Sequence, residues 1–308
     1  MAKWIPPRPQ YKREQRTIGF AVLAAFLLFL FIRLFGGTFQ LPHQEILLPL
    51  ATLGIALLLP TLTYLLFRGQ GYVRTLRLAP PRKEHIPLLF AAFFAMLSGT
   101  LLLSCLTGGI DTIGNTLTPF ATSVASTPFW TILSYLVLAL LPALAESFFC
   151  FGIVTIEYER RGAFRAVLMS TLIFSLLHFD AGNLPAYIFL ALLSVLVLYT
   201  TNSLFAVLTL HVCYNLLSLF LQPYFNALYR YTGSLPLFFF IVMLTFLVSL
   251  YLVLRFSIRT YRLREEQGIG TPRRAVPYDV QFYTTVDALC DPAVLVAFAA
   301  ALVGMIIL

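Results

Sequence analysis

Apolar residues run in long blocks along this chain, and short polar or basic segments separate the blocks. A helix that spans the hydrocarbon core of a bilayer needs about 20 such residues, although shorter ones persist when protein surrounds them. The pattern therefore predicts an all-α polytopic membrane protein, a bundle of about 8–9 transmembrane helices. The predicted helices cover residues 18–35, 46–67, 86–106, 129–158, 163–179, 184–199, 204–224, 235–257 and 293–308.

The same pattern predicts six consecutive parts of the chain. A basic cytoplasmic amino terminus is followed by helices one to three with an external loop, and then by helices four to seven. An eighth helix, a cytoplasmic loop and a carboxy-terminal helix complete the chain. In order, these parts are residues 1–17, 18–128, 129–224, 225–257, 258–292 and 293–308.

The composition agrees with a membrane protein. Of the 308 residues, 59% are hydrophobic and 11% are charged, and the mean hydropathy is +0.87. Soluble domains carry about 25% charged residues, so soluble, disordered, coiled-coil and disulfide-scaffold classes are excluded. The net charge is +8, but no basic patch alternates with a polar face. We therefore expect membrane lipids, and no nucleic acid, among the partners.

Basic residues predict the orientation. With the amino terminus inside, all but two of the 21 Lys and Arg residues fall in cytoplasmic segments, the exceptions being Arg33 and Arg230. Cytoplasmic loops of membrane proteins are enriched in these residues. We predict an integral protein of a prokaryotic cell (inner) membrane with a cytoplasmic amino terminus.

Four polar side chains lie within the apolar blocks, namely Glu146, His178, His211 and Asn215. Ionisable groups in hydrocarbon are costly, and each is a candidate functional residue. Helical rise places Glu146 and His178 at roughly 21 and 22 Å from the cytoplasmic ends of their helices, whereas His211 lies at only about 10 Å. We expect a raised, partly buried start of the seventh helix to close this gap.

These residue types suit hydrolysis. A carboxylate beside an imidazole can take a proton from water, and a second His with an Asn can donate hydrogen bonds to an oxyanion. His211 and Asn215 are four residues apart and share a helix face. The same glutamate and the two histidines also match the ligand set of some zinc hydrolases, so a Zn²⁺ ion stays open. A polar cluster that only joins helices is the third alternative.

The motifs resemble the CAAX protease and bacteriocin-processing (CPBP) family of intramembrane proteases, also called Abi or Rce1-like. Its pattern is Glu-Glu-x-x-x-Arg, then Phe-x-x-x-His, then His-x-x-x-Asn, each on its own helix. Phe174 to His178 matches the second motif, and His211 to Asn215 matches the third. The resemblance covers roughly a quarter of the chain, residues 142–215.

The first motif departs from the family pattern in either of two alignments. With Glu146 as the first glutamate, Ser147 replaces the second and Phe151 replaces the arginine. With Glu146 as the second glutamate, Ala145 replaces the first and Cys150 replaces the arginine. In both alignments one acid remains, and the other acid is absent together with the arginine. Losing both members of a buried ion pair leaves neither charge without its partner, whereas losing only one would.

The resemblance implies an intramembrane endopeptidase, of glutamic or metallo type, whose catalytic core is residues 129–224. Glu146 and His178 would activate water, and His211 and Asn215 would bind the oxyanion. The substrate would be a peptide or protein. Because the first motif is altered, a catalytically inactive immunity or scaffold protein is an alternative, and a transporter is a second one.

Overall fold

The computed structural model describes residues 9–39, 44–108, 132–133, 136–268 and 276–308. Every regular element in these ranges is a helix of α, 3₁₀ or π type, and no β-strand occurs among them. Helices satisfy their own backbone hydrogen bonds, which lipid cannot do. The predicted all-α polytopic membrane architecture is confirmed.

The amino-terminal part begins with a long helix and a broken one. The elements are α1 (Pro9–Phe35), α2 (Gln44–Ala51), a π-helical segment (Thr52–Leu58), α3 (Leu59–Arg68), α4 (Gln70–Val73) and α5 (Ile86–Gly108). Proline has no backbone donor, and Pro49 and Pro60 lie on either side of the π-helical segment. The helix α1 starts well inside the segment that was predicted as a basic cytoplasmic terminus.

The middle part contains the candidate residues. A π-helical segment (Leu136–Leu140), α6 (Leu141–Glu146), a second π-helical segment (Ser147–Val154) and α7 (Thr155–Glu159) follow one another without a gap. The next helices are α8 (Ala163–Leu176), α9 (Leu184–Thr201) and α10 (Leu204–Thr232). Asn202, in the left-handed conformation with φ 53°, separates α9 from α10.

The carboxy-terminal part holds α11 (Leu235–Glu266), α12 (Tyr278–Leu289) and α13 (Pro292–Ile307). The helices α12 and α13 are bent by 61° relative to each other. The interval 258–292 was predicted as a cytoplasmic loop, but its described residues are largely helical. The prediction assigned helices only to long apolar blocks, and a helix with a single apolar face contains no such block.

In the described ranges, six helices are long and apolar enough to cross a membrane, or seven when the bent pair α12–α13 counts as one span. The predicted span 163–179 corresponds to a shorter apolar helix, Ala163–Leu176. At about 1.5 Å per residue, a helix of this length does not reach across a hydrocarbon core of about 30 Å. The predicted span 204–224 lies within α10, which has 29 residues and is long enough to cross.

The chain divides into two compact units. Unit 1 comprises Met1–Arg77, Phe148–Asp180 and Arg273–Leu308. In it α1 packs against α13, and the Phe26 ring lies 5.9 Å from the Phe179 ring and 6.4 Å from the Phe298 ring. The buried Glu157 accepts a hydrogen bond of 2.8 Å from Arg68.

Unit 2 comprises Leu78–Ser147 and Ala181–Pro272. Its helix α5 packs against α9 and α11, and Leu101 and Leu102 form a buried cluster with Phe238 and Val242. An added Cβ at Gly99 would lie 2.4 Å from the Phe189 ring, so this glycine allows the close approach of α5 and α9. Unit 2 contains Glu146, His211 and Asn215, and it is the setting of the site described next.

Candidate functional site

Glu146 ends a short α-helix that has π-helical turns on both sides. Pro142 lies in the first turn of α6, where its missing backbone donor interrupts the regular ladder. π-helical turns are rare and are frequent at functional sites, because the inserted residue redirects side chains. The helix type therefore changes twice around Glu146.

Glu146 lies beside His211. The Oε2 atom of Glu146 is 3.7 Å from Nε2 of His211, and their side chains are 12% and 10% exposed. The distance suits an ion pair when the imidazole is protonated and is longer than a hydrogen bond. The difference in depth calculated from helical rise therefore does not keep these two side chains apart. The residue before α10, Ser203, is only 1% exposed.

The other ring nitrogen of His211 contacts Ser147. The Ser147 Oγ atom is 3.2 Å from Nδ1 of His211, and Ser147 is fully buried. Consecutive residues at the end of α6 thus contact both nitrogens of one imidazole. The sequence identified Ser147 only as a replacement within the first motif, and its contact with His211 depends on the packing of α10, which no local pattern reports.

Asn215 lies one turn after His211 on α10 and is also buried. Its Nδ2 donates a hydrogen bond of 3.3 Å to the backbone carbonyl of Ala139. Ala139 belongs to the π-helical segment before α6. One face of α10 therefore contacts the end of α6 through His211 and the preceding π-helical segment through Asn215.

His178 belongs to unit 1, where it follows the end of α8 rather than lying inside the helix predicted for 163–179. The carbonyl of Phe174 lies 2.8 Å from Nδ1 of His178 and can only accept, so Nδ1 carries a hydrogen. In the neutral ring the lone pair is then on Nε2. The next residue, Phe179, has a φ of 52° and packs its ring between Phe26 and Phe29.

No group of three or more His, Cys, Asp or Glu side chains that could hold a metal ion is present in the described ranges. Zinc sites in hydrolases use three protein ligands. Glu146 and His211 supply two such groups in unit 2. The predicted zinc ligands Glu146, His178 and His211 therefore rest on the sequence alone, and the proposed mechanism uses no metal ion.

Comparison with known proteins gives one match. Residues 128–217 match the family model "Type II CAAX prenyl endopeptidase Rce1-like", a segment that includes all four candidate residues. No curated protein and no solved structure matches the chain. The resemblance to CAAX-type proteases is confirmed over this segment. The protein is an integral membrane protein with a segment that is similar to the Rce1-like CAAX prenyl endopeptidases.

Proposed function

We propose that the protein is an intramembrane endopeptidase that hydrolyses a peptide bond with water activated by Glu146 and His178. The observation that carries the proposal is the buried contact of Glu146 with His211 inside the Rce1-like segment. His178 enters through its family motif and through the tautomer that its bond to Phe174 selects. His211 and Asn215 act as hydrogen-bond donors to the carbonyl oxygen of the substrate.

The contact distance suits a reacting oxygen. Two atoms 3.7 Å apart leave room for one oxygen about 2.8 Å from each. The Glu146 carboxylate takes a proton from the water molecule as the water oxygen attacks the carbonyl carbon. The carbonyl oxygen gains the negative charge, which the donors stabilise. The proton then passes to the leaving nitrogen as the C–N bond breaks.

Ser147 acts in this scheme as a positioning residue for His211. When its hydroxyl donates to Nδ1, the neutral imidazole carries its hydrogen on Nε2. This is the tautomer that a donor to an oxyanion requires. A serine in place of the family's second glutamate is therefore compatible with a donor role of His211.

The substrate is proposed to be a peptide or protein that reaches the site from the membrane. The matched family is named for CAAX prenyl endopeptidases, so a farnesylated CAAX peptide is the first probe. Its apolar tail would partition into lipid, where the candidate residues lie. An unprenylated peptide of the same sequence distinguishes recognition of the lipid from recognition of the peptide.

The test is cleavage by the purified protein in proteoliposomes. Glu146→Gln and His178→Ala are each expected to lower kcat by roughly 10²–10⁴-fold, the usual contribution of a positioned acid or base. Glu84→Gln, at an exposed glutamate before α5, is the matched control and should retain full activity. Unchanged cleavage by either site variant would contradict the assignment.

The altered first motif favours one competing function, a non-catalytic immunity or scaffold protein on the same fold. This function needs packing rather than chemistry. It predicts that Glu146→Gln leaves the cellular phenotype intact, whereas a packing variant such as Gly99→Leu in α5 abolishes it. The endopeptidase predicts that both variants lose the phenotype.

A further inference from the structure

The helix α12 presents an exposed aromatic face that none of the chemistry above uses. Tyr278 is 77% exposed, Tyr283 64% and Phe282 51%, and Val286 is also exposed. Tyr278, Phe282 and Val286 recur every four residues and lie on one side of the helix. Exposed aromatic stripes of this kind mark contacts with a membrane or a partner.

A neighbouring side of α12 packs against the rest of unit 1. Thr285 and Ala288 are buried, and Gln281 accepts a hydrogen bond from the backbone N–H of Phe164 at 3.4 Å. Gly162 has a φ of 132°, and a Cβ added there would lie 2.5 Å from the Gln281 side chain. Only glycine fits here, so α12 packs closely against the start of α8.

The contact between α12 and the start of α8 lies at the basic end of unit 1. The turn before α8 contains Arg160 and Arg161, and α1 carries Arg16 in its first part. Asp291, at the bend between α12 and α13, caps α13 by accepting from Ala293 and lies against Gly19 of α1. Basic segments flank spanning helices at the cytoplasmic membrane surface. The helix α12 is therefore located at a membrane boundary.

The direction of α12 agrees with this location. A segment inclined by 61° to a helix along the membrane normal lies closer to the membrane plane than to the normal. Tyr and Trp side chains are favoured at this level because they combine an apolar ring with a polar group. The exposed Asp287 lies about 140° around the helix from Phe282 and would face water.

We propose that α12 is an interfacial helix whose aromatic side chains Tyr278 and Phe282 are buried in the boundary between lipid headgroups and acyl chains. Such helices insert their apolar side by about 5–10 Å. Asp287 stays in the aqueous layer, and the side with Gln281 and Ala288 stays on the protein. The helix then anchors the turn before α8 to the membrane surface, independently of the proposed protease function.

The test uses nitroxide labels on single cysteines in the full chain, reconstituted into phosphatidylcholine vesicles. Labels at Tyr278 and Phe282 are expected to be relaxed more strongly by oxygen than by a water-soluble nickel chelate. A label at Asp287 on the same helix is the matched control, and the order of the two reagents should reverse there. A label at Leu302, exposed on α13, gives the deep-lipid reference.

Three results would overturn the proposal. Nickel access at Phe282 equal to that at Asp287 would place the aromatic face in water. Spin–spin broadening that disappears when labelled protein is diluted with unlabelled protein would make the occupant a second copy of this chain. An immobile label that neither reagent reaches would mean that protein, not lipid, covers the face. Because no step depends on cleavage, failure here leaves the protease proposal untouched.

Discussion

Individual side chains of the candidate site share their partners. His211 has Glu146 at one ring nitrogen and Ser147 at the other, while Asn215 bonds the Ala139 carbonyl. All of these residues lie in unit 2 and are mostly shielded from solvent. A buried polar group without a partner costs free energy, so each contact also restricts the position of the next one.

The first prediction concerns Ser147. Ser147→Ala removes the oxygen beside Nδ1 of His211, and we expect kcat to fall by roughly 10–100-fold, as for other residues that orient a functional group. KM should not change, because no substrate contact is lost. Ser147→Thr keeps the hydroxyl and should restore kcat. These values come from steady-state cleavage in proteoliposomes.

The control for this pair is Ser249→Ala, which removes a buried hydroxyl from α11 in the same unit. It should leave kcat unchanged. Equal loss of activity in Ser147→Thr and Ser147→Ala would show that size at this position matters and the hydroxyl does not. In that case Ser147 has no role in setting the tautomer of His211.

Helix breaks are the main feature at the scale of elements. The chain around Glu146 changes from π to α and back to π within residues 136–154, and Pro142 lies in the α-helical turn. Another proline, Pro60, follows the π-helical segment Thr52–Leu58 in the same way but far from Glu146 in sequence. The two prolines have similar local structure but different neighbours. Replacing each of them in turn therefore distinguishes an effect on helix stability from an effect on the geometry of the candidate site.

The second prediction uses this pair. Pro142→Ala restores a backbone donor, and we expect the preceding π-helical segment to become regular and to shift the Ala139 carbonyl away from Asn215. A displacement of about 1 Å in a catalytic site can cost about 10²-fold in rate. Cleavage should fall accordingly while the melting temperature in detergent stays the same or rises. Pro60→Ala should show the same thermal behaviour with full activity.

Full activity in Pro142→Ala would contradict this account and would mean that the break in the helix has no part in positioning the site. A fall in both activity and melting temperature would indicate general damage. The two variants are compared by thermal unfolding in detergent and by cleavage of one peptide substrate.

At the scale of the whole molecule, the distribution of basic residues predicts the orientation in the membrane. The charge distribution predicts a cytoplasmic amino terminus. In the predicted arrangement of nine crossing helices, the turn between α10 and α11 is then external and the end of α11 is internal. Both positions lie in unit 2 and have exposed residues, Tyr231 and Glu266.

The third prediction tests that orientation with single cysteines. In a background without native cysteines, Tyr231→Cys should react with a membrane-impermeant maleimide in intact cells. Glu266→Cys should react only after the membrane is opened. Labelling is read by gel shift, and cleavage activity checks that each variant is folded. The opposite pattern would reverse the orientation.

Much of the fold follows from the apolar blocks. Each block has a longer continuous apolar run than a helix of a soluble protein has. The positions of the helices and the membrane class could therefore be predicted. The number of full spans could not, because α8 is short and the last apolar block belongs to the bent pair α12–α13. The residues 258–292 were assigned to a loop, although α12 occupies part of them, since a helix with one apolar face has no long apolar block.

The candidate site was partly accessible to the same reasoning. Glu146, His178, His211 and Asn215 stand out as polar groups in apolar sequence, and the cost of such groups in lipid is a property of each residue alone. Ser147 does not stand out, because serine is common in membrane helices. Its contact with His211 became visible only with the packing of α10.

The amino-acid sequence alone determined that this protein is helical, lies in a membrane and carries a few costly polar side chains, because transfer into hydrocarbon depends on each residue separately. Tertiary structure decided which of these groups meet. A contact such as that between Glu146 and His211 joins residues far apart in the chain. It depends on helix breaks and on the buried start of α10, which are set by packing between helices rather than by local sequence.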